Sequence, residues 1–341
     1  MHKNNPGSIK AAIVGAGLMG YWHARYAGRA GSRIAAVADT SFNSAATLSR
    51  QLAGSTAYDS IDAMLATVKP AVVHICTPLA SHVPLAKKAI ESGAHVLLEK
   101  PLAGTAEETQ SLLELAARHG VVLCPVHQFA FQDGIFRARK VLRRMGEVLH
   151  ASFTICSAGG ADHESASIER ILADILPHPL SVMRSLWPEI DLVDRNWNSF
   201  HPRNGELYLS ALSGKTVTGI YISMNARPTR CEMDIYCERG RIHLNFFHGY
   251  AVVQKGRVSR FRKIIQPFGW SVRTFAAAGG NLVRRIVNRE PAYPGLRKLV
   301  SEFYSAVNAG TSGPIPDGDT LAIAAARDRI LAGIETGVAG V

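Results

Sequence analysis

The apolar run Ile9–Val14 passes through Gly15-Ala16-Gly17-Leu18-Met19-Gly20 into the helical pattern Leu18–Ala30. Few folds accept that order. A buried strand that turns on glycine straight into a helix belongs to a parallel sheet, where each strand returns through a helix packed on its face. The GxGxxG spacing gives each glycine its own work. Gly15 permits the tight turn, Gly17 lets a pyrophosphate approach the backbone, and Gly20 lets the helix lie close to the strand. Leu18 and Met19 place their amides at the positive helix end, where an anion is held. Asp39 ends the next strand about 20 residues on, where its carboxylate suits the hydroxyls of an adenosine ribose. Its charge repels a 2′-phosphate, and the following TSFNSA contains no arginine or lysine. The expected cofactor is therefore NAD, with NADP the weaker alternative. Asp39 also suits a helix N-cap before residues 41–52, and the two roles are compatible.

Strands alternate with helical patterns to about residue 125. Ile34–Asp39, Ala71–Cys76, His95–Leu98 and Val121–Cys124 read as strands; Ser44–Leu52, Val83–Ser92 and Ala106–His119 read as helices. Near-continuous apolar strands of this kind indicate a sheet covered on both faces, a doubly wound Rossmann domain over residues 1–127. After the helix Gly134–Met145 the period changes. Leu149–Cys156, Leu207–Leu212, Val217–Met224, Arg230–Cys237 and Arg241–Phe247 alternate partly with period two. Ser213-Gly214-Lys215 and Glu238-Arg239-Gly240 stand at hairpin positions between them. Residues 128–341 are thus predicted to form an α+β substrate-binding and oligomerisation domain with a large, mostly antiparallel sheet. Helical patterns at Leu296–Ala309 and Thr320–Ile334 close the chain, and the last helix, about 319–335, can pack back on the first domain.

Several classes are excluded. No apolar run reaches the roughly 18 residues of a membrane span. The opening MHKNNPGSIK lacks the pattern of a signal peptide, which leads to a cytoplasmic expectation. The five cysteines show no CxxC pairing and read as buried thiols. The 13 histidines lack metal-ligand spacing, so no metal is assigned. No reader motif points to nucleic acid.

The segment Ala71–Ala103 carries the chemistry. One strand ends in Cys76-Thr77-Pro78, and the next ends in Glu99-Lys100-Pro101. Ligands bind at the carboxyl ends of parallel strands, so both turns face the crevice. A lysine there is partly desolvated, which moves it toward proton-transfer range; a plain surface lysine is the alternative. Thr77, Pro78, His82, Glu99, Lys100 and Gln128 join the glycine turn and Asp39 as candidate cofactor contacts.

The order GAGLMG, CTP, EKP resembles the Gfo/Idh/MocA oxidoreductase family, and the likeness extends over nearly the whole chain. The resemblance implies that Lys100 contacts a reacting hydroxyl and that Pro101 shapes the backbone beside the nicotinamide. Relatives often carry Asp-x-x-x-His in the second domain, and Asp174-Ile175-Leu176-Pro177-His178 matches that spacing. By resemblance His178 is the general base, and Asp174 orients the substrate or shares its hydroxyl bonds with Lys100. Read alone, Asp174 is a helix cap and His178 a structural histidine. This chain departs from many relatives in lacking glycines around Asp174 and in having His127-Gln128-Phe129-Ala130-Phe131 where they carry an arginine. The implied activity is hydride transfer between NAD and a secondary alcohol of a sugar, cyclitol or nucleotide sugar. An exposed antiparallel sheet face is commonly covered by a second copy of the same domain, so a homodimer or homotetramer is expected. The rivals are a glycoside-cleaving enzyme that retains its NAD and a non-catalytic dinucleotide-sensing regulator.

The net charge of +11 is concentrated. Between Lys255 and Lys298 eleven basic residues face only Glu290, which leaves +10 on that segment. It reads as a solvated basic face or as a site for an anionic substrate such as a nucleotide sugar or sugar phosphate. A third reading rests on the helical wheel of Trp270–Arg289. Phe275, Val272, Leu282, Val283, Ile286 and Val287 share one side, and Arg273, Arg284, Arg285 and Arg289 the other. Such a helix can rest on an anionic membrane. Against this stand Gly279-Gly280, which oppose a stable helix, and the simpler expectation that the apolar side packs on its own domain.

Overall fold

The computed structural model describes residues 8–157, 171–193, 197–202, 204–256 and 262–337. Its contacts divide the chain into two units, residues 1–126 with 296–324 and residues 127–295 with 325–341.

In the first unit β1 (Lys10–Val14), α1 (Leu18–Arg29), β2 (Arg33–Ala38) and α2 (Phe42–Ser49) follow the expected order. They are succeeded by β3 (Thr56–Tyr58), α3 (Ile61–Val68), β4 (Val72–Ile75) and α4 (His82–Glu91). β5 (His95–Leu98), α5 (Ala106–Arg118) and β6 (Leu123–Pro125) complete the series. All six strands are parallel, in the order β3-β2-β1-β4-β5-β6. The order reverses between β1 and β4, which opens a crevice at their carboxyl ends. Ala11, Ala12, Ile13, Val72, Val73 and Val96 have no exposed surface, as strands covered on both faces require. Helix starts are specified locally: Thr105 caps the Glu108 amide at 3.1 Å, and the Glu108 carboxylate reaches back to the Gly104 amide at 2.9 Å. β3 and α3 were not among the expected elements. β3 has three residues, too few to show a period.

The second unit opens with a single 3-10 turn, Gln128–Phe131, and α6 (Asp133–Leu142). Its sheet contains β7 (Val148–Cys156), β8 (Asn198–Phe200), β9 (Glu206–Ser213), β10 (Thr216–Ser223), β11 (Arg230–Cys237), β12 (Gly240–Asn245) and β13 (Tyr250–Lys255), with α7 (Pro177–Leu186) between β7 and β8. The order is β13-β12-β11-β7-β10-β9-β8. Every pair is antiparallel except β7 with β10. The fold is therefore an α/β Rossmann unit with an α+β unit built on a mostly antiparallel sheet. Both hairpins turn where expected, with Ser213 opposite Thr216 and Cys237 opposite Gly240.

α8 (Arg262–Val287) corrects two expectations. Gly279-Gly280 do not interrupt it. Each glycine costs a helix about 1 kcal/mol, and tertiary contacts on both sides of the pair offset that. Trp270 packs edge-on against His243 with centroids 5.9 Å apart, under the Arg241 guanidinium at 4.8 Å. Asn281 donates to the His248 carbonyl at 2.7 Å, and Arg284 pairs with Asp133 at 3.0 Å. The apolar side is not packed on its own unit: Phe275 is 81% exposed and Val287 74%. Arg257 and Arg260 of the basic segment lie outside the described residues. α9 (Leu296–Ala309) packs on α1, so residues 296–309 join the first unit rather than the second. α10 (Asp317–Gly337) gives residues up to 324 to the first unit and the remainder to the second.

Candidate active site

The carboxyl ends of β1, β4 and β5 are neighbours in the sheet, and they carry the glycine turn, the Cys76-Thr77-Pro78 turn and Glu99-Lys100-Pro101. Each glycine of the first turn has a distinct environment. Gly15 adopts φ +96°, and a Cβ there would stand 2.5 Å from the Cys76 carbonyl oxygen. A Cβ on Gly20 would stand 2.0 Å from the Gly15 carbonyl oxygen, so α1 approaches β1 as only glycine permits. Gly17 differs: a Cβ there would meet nothing within 4 Å. α1 starts at Gly17 with no side-chain cap and no acid in its first turn, and Leu18 is 64% exposed. An exposed glycine edge beside a positive helix end suits a phosphate group.

Asp39 is locked to this turn. One carboxylate oxygen accepts from the Ala16 amide at 2.7 Å, the other from the Ser41 amide at 2.8 Å. Ser41, and not Asp39, caps α2, accepting from the Ser44 amide at 3.3 Å. The half-buried carboxylate keeps lone pairs for a further donor.

His82 takes a role other than the expected cofactor contact. It is 1% exposed, and its ring nitrogens lie 2.8 Å from the carbonyl oxygens of Pro101 and Thr77. Both polar edges are spent on backbone, so His82 braces the Thr77 turn against the Pro101 turn. Thr77 accepts from the Ser81 hydroxyl at 2.8 Å. The Lys100–Pro101 peptide is cis, and Lys100 is half-buried.

A buried polar chain supports Glu99. Its carboxylate is 3.1 Å from His23 Nε2 and accepts from the Lys100 amide at 3.2 Å. His23 Nδ1 is 3.0 Å from His74 Nδ1, and His74 Nε2 is 2.8 Å from the Tyr304 hydroxyl. His23 and His74 have no exposed surface. Burial, then the neighbouring His23, hold the His74 imidazole well below its ordinary range. Burial raises the Tyr304 phenol and, with the Glu99 charge, the Cys76 thiol. Sequence reasoning missed this chain. The available signal was His74, one polar residue inside the apolar strand Ala71–Cys76.

The remaining candidates belong to the second unit. Asp174 lies in a helical turn, residues 171–175, that breaks at Leu176 before Pro177 opens α7. Proline fits there because a first-turn amide has no intrahelical partner. The spiral continues across the break, since the Leu176 amide bonds the Leu172 carbonyl at 3.1 Å and Leu180 bonds Leu176 at 3.3 Å. Asp174 and His178, four residues apart and both half-buried, therefore share a helical face. Asp174 does not cap α7; that position is Leu176. The His178 ring stacks on Phe129 at 4.3 Å, Phe129 on Phe246 at 5.2 Å, and Phe246 on Phe153 at 4.9 Å. This stack, anchored in the sheet, fixes the imidazole plane. Gln128 is 9% exposed, and its Oε1 has no hydrogen-bond partner among the described residues, so it is an acceptor ready for a ligand. No cluster of three metal-ligating side chains occurs among the described residues.

Residues 9–127 match the profile of the oxidoreductase family with an NAD-binding Rossmann fold. Over 144 residues the chain is 33% identical to D-glucoside 3-dehydrogenase of Escherichia coli (strain K12), a match covering 41% of this chain and 41% of that protein. Over 329 residues it is 27% identical to inositol 2-dehydrogenase of Pseudomonas savastanoi, covering 93% of this chain and 92% of the other. The solved structure of UDP-N-acetylglucosamine 3-dehydrogenase from Acidithiobacillus ferrooxidans aligns with a TM-score of 0.75 at 20% identity, covering 96% and 98%. At that identity the likeness is one of fold.

Proposed function

Through residues 9–127 the chain belongs to the Gfo/Idh/MocA oxidoreductase family, and from that premise we propose that it transfers a hydride between NAD and a secondary alcohol of a sugar, cyclitol or nucleotide sugar. The observation that carries this reading is the Glu99-Lys100-Pro101 turn, set on the strand beside the Cys76-Thr77-Pro78 turn and braced by His82 and His23. The nicotinamide ring, when bound, supplies the hydride acceptor. Gly15, Gly17, Leu18, Met19 and Gly20 would hold the pyrophosphate, Asp39 the adenosine ribose, and Thr77, Pro78, Glu99 and Lys100 the nicotinamide end. The Asp39 carboxylate, fixed by two amides, repels a 2′-phosphate and selects NAD over NADP.

For the alcohol, Lys100 donates a hydrogen bond to the reacting oxygen and stabilises its alkoxide character. His178 Nε2 takes the hydroxyl proton, with the ring held by its aromatic stack. A histidine is neutral near its working pH and can accept that proton. Asp174, on the same helical face, orients the substrate or the imidazolium that forms.

The active form is a homodimer or homotetramer. The outer sheet face presents Phe200, Tyr208, Leu212 and Val217, between 42% and 65% exposed, and a second copy of that face matches it by two-fold symmetry.

NADH formation monitored against a panel of cyclitols, glycosides and nucleotide sugars tests the reading. Once a substrate is found, Lys100→Ala should lower kcat/KM by roughly 10²–10⁴-fold, far more than it weakens NAD binding, since Lys100 is one of several cofactor contacts. Unchanged turnover in that variant would remove Lys100 from the mechanism.

A further inference from the structure

We propose that α8 and the basic cleft beside it dock the protein on an anionic phospholipid surface. Phe268, Val272, Phe275, Leu282, Val283 and Ile286 are between 60% and 81% exposed. At about 100° per residue they fall within an arc of roughly 100°. The opposite side holds Trp270, Thr274, Ala277, Ala278 and Asn281, the half-buried or buried positions by which α8 lies on β12 and β13. The apolar arc therefore points away from the unit that carries it. An apolar stripe of this length, led by aromatic and branched side chains, is the geometry of a helix that lies in a membrane interface. No described helix is long and apolar enough to cross a membrane, so the contact is with the surface.

Charge selects the occupant. From Lys255 to Arg289 the sequence contains nine basic residues and no acidic one. Arg273 sits on one flank of the arc, beside Arg284, whose guanidinium is paired with Asp133 at 3.0 Å. On that flank a hollow lined by Gln266, Gly269 and Arg273 shares Lys255 and Gly256 with a cleft of about 970 Å³. Arg137, Lys140, Arg143, Arg144, Arg239 and Lys255 line the cleft, and none of the six forms an ion pair among the described residues. Apolar arc, basic flank and basic cleft are thus contiguous on one unit, which is what a sheet of acyl chains under phosphate headgroups would meet. A second copy of this chain is a poor occupant. It would bring the same basic flank against this one in a protein whose net charge is already +11. The docking goes beyond the hydride chemistry and does not depend on it.

Flotation of the full chain with phosphatidylcholine vesicles, with and without phosphatidylglycerol at roughly three in ten lipids, tests this at about 0.1 M salt. The protein should float with the anionic vesicles only and come off as salt rises. Phe268→Ser/Phe275→Ser should weaken flotation roughly tenfold or more, because both rings leave the interface. Arg143→Gln/Arg144→Gln, outside the apolar arc, should weaken it by about fivefold per cation. Circular dichroism and melting temperature should not move, since all four side chains face solvent. A wild-type chain that never floats with anionic vesicles overturns the proposal. So does an oligomer that the double phenylalanine variant dissociates while flotation is unchanged, an outcome that makes the second copy the occupant.

Discussion

The two units hold their candidate site residues on backbones of different kinds. In the first, the site is made of turns: Gly15 and Gly20 are fixed by contacts within 2.5 Å of where a side chain would begin, and Asp39 is held by two amides. In the second, His178 is positioned by rings drawn from three distant segments, Phe129, Phe246 and Phe153. A turn that tolerates only glycine leaves its requirement in a short stretch of sequence. A stack assembled across a sheet leaves none that a local window can read.

That contrast explains what was legible. Strand, glycine turn, helix and Asp39 could be read in order because each constraint lies within a few residues of the next. The Asp174 and His178 pair was found only through resemblance, since Pro177 obscures the helical period that joins them. His23 and His74 escaped because their partners, Glu99 and Tyr304, are remote in sequence. The position of His82 suits a ligand contact in sequence, while one of the two carbonyls beside its ring, that of Pro101, belongs to a turn 19 residues on. α8 departs from its local pattern for the opposite reason. Gly279-Gly280 show their low helix propensity within two residues, whereas the anchors at Trp270, Asn281 and Arg284 depend on His243, His248 and Asp133, which are remote in sequence.

The comparison can be broken first at His178. His178→Ala should lower kcat/KM by roughly 10²–10⁴-fold and shift the acid limb of the pH profile, while NADH affinity stays within about twofold. A large loss of NADH affinity instead would mean that the two sets of residues do not divide the work. Phe129→Leu sharpens the point. It removes the ring on which the imidazole lies but no proton carrier, so kcat should fall less than in His178→Ala.

Gly20→Ala probes the first unit with the next largest effect. The added methyl meets the Gly15 carbonyl oxygen, and the helix must back away from the strand. Denaturant unfolding should report a loss of about 1–3 kcal/mol, as for other overpacked sites, together with weakened NADH binding. Gly17→Ala should leave stability within about 1 kcal/mol, because its Cβ enters open space, yet weaken NADH binding. Equal stability losses at both glycines would contradict the division of roles.

His74 should show itself through pH at a smaller magnitude. The folded protein keeps its imidazole neutral, with a pKa well below the ordinary value, whereas the unfolded chain binds a proton near pH ~6.5. Below that pH the unfolded state holds more protons, so stability falls as pH falls and is complete above it. His74→Asn should flatten this acid-side slope in urea midpoints between about pH 7 and 5, at some cost in overall stability from the lost bonds to His23 and Tyr304. An unchanged slope would mean that another group, such as the partly buried His95, carries the proton uptake.

The smallest expected effect is the most telling for the second unit. Phe275 is 81% exposed on the outward arc of α8, so Phe275→Ser should change unfolding free energy by no more than about 0.5 kcal/mol. By contrast Phe246, 1% exposed and stacked on both Phe129 and Phe153, should cost about 3–5 kcal/mol as Phe246→Ala. Two phenylalanines of one unit then differ several-fold because one is packed in the aromatic stack and the other faces solvent. A concentration-dependent loss of several kcal/mol at Phe275 would show that its ring is buried between copies in solution, and α8 would have to be counted as part of an assembled core.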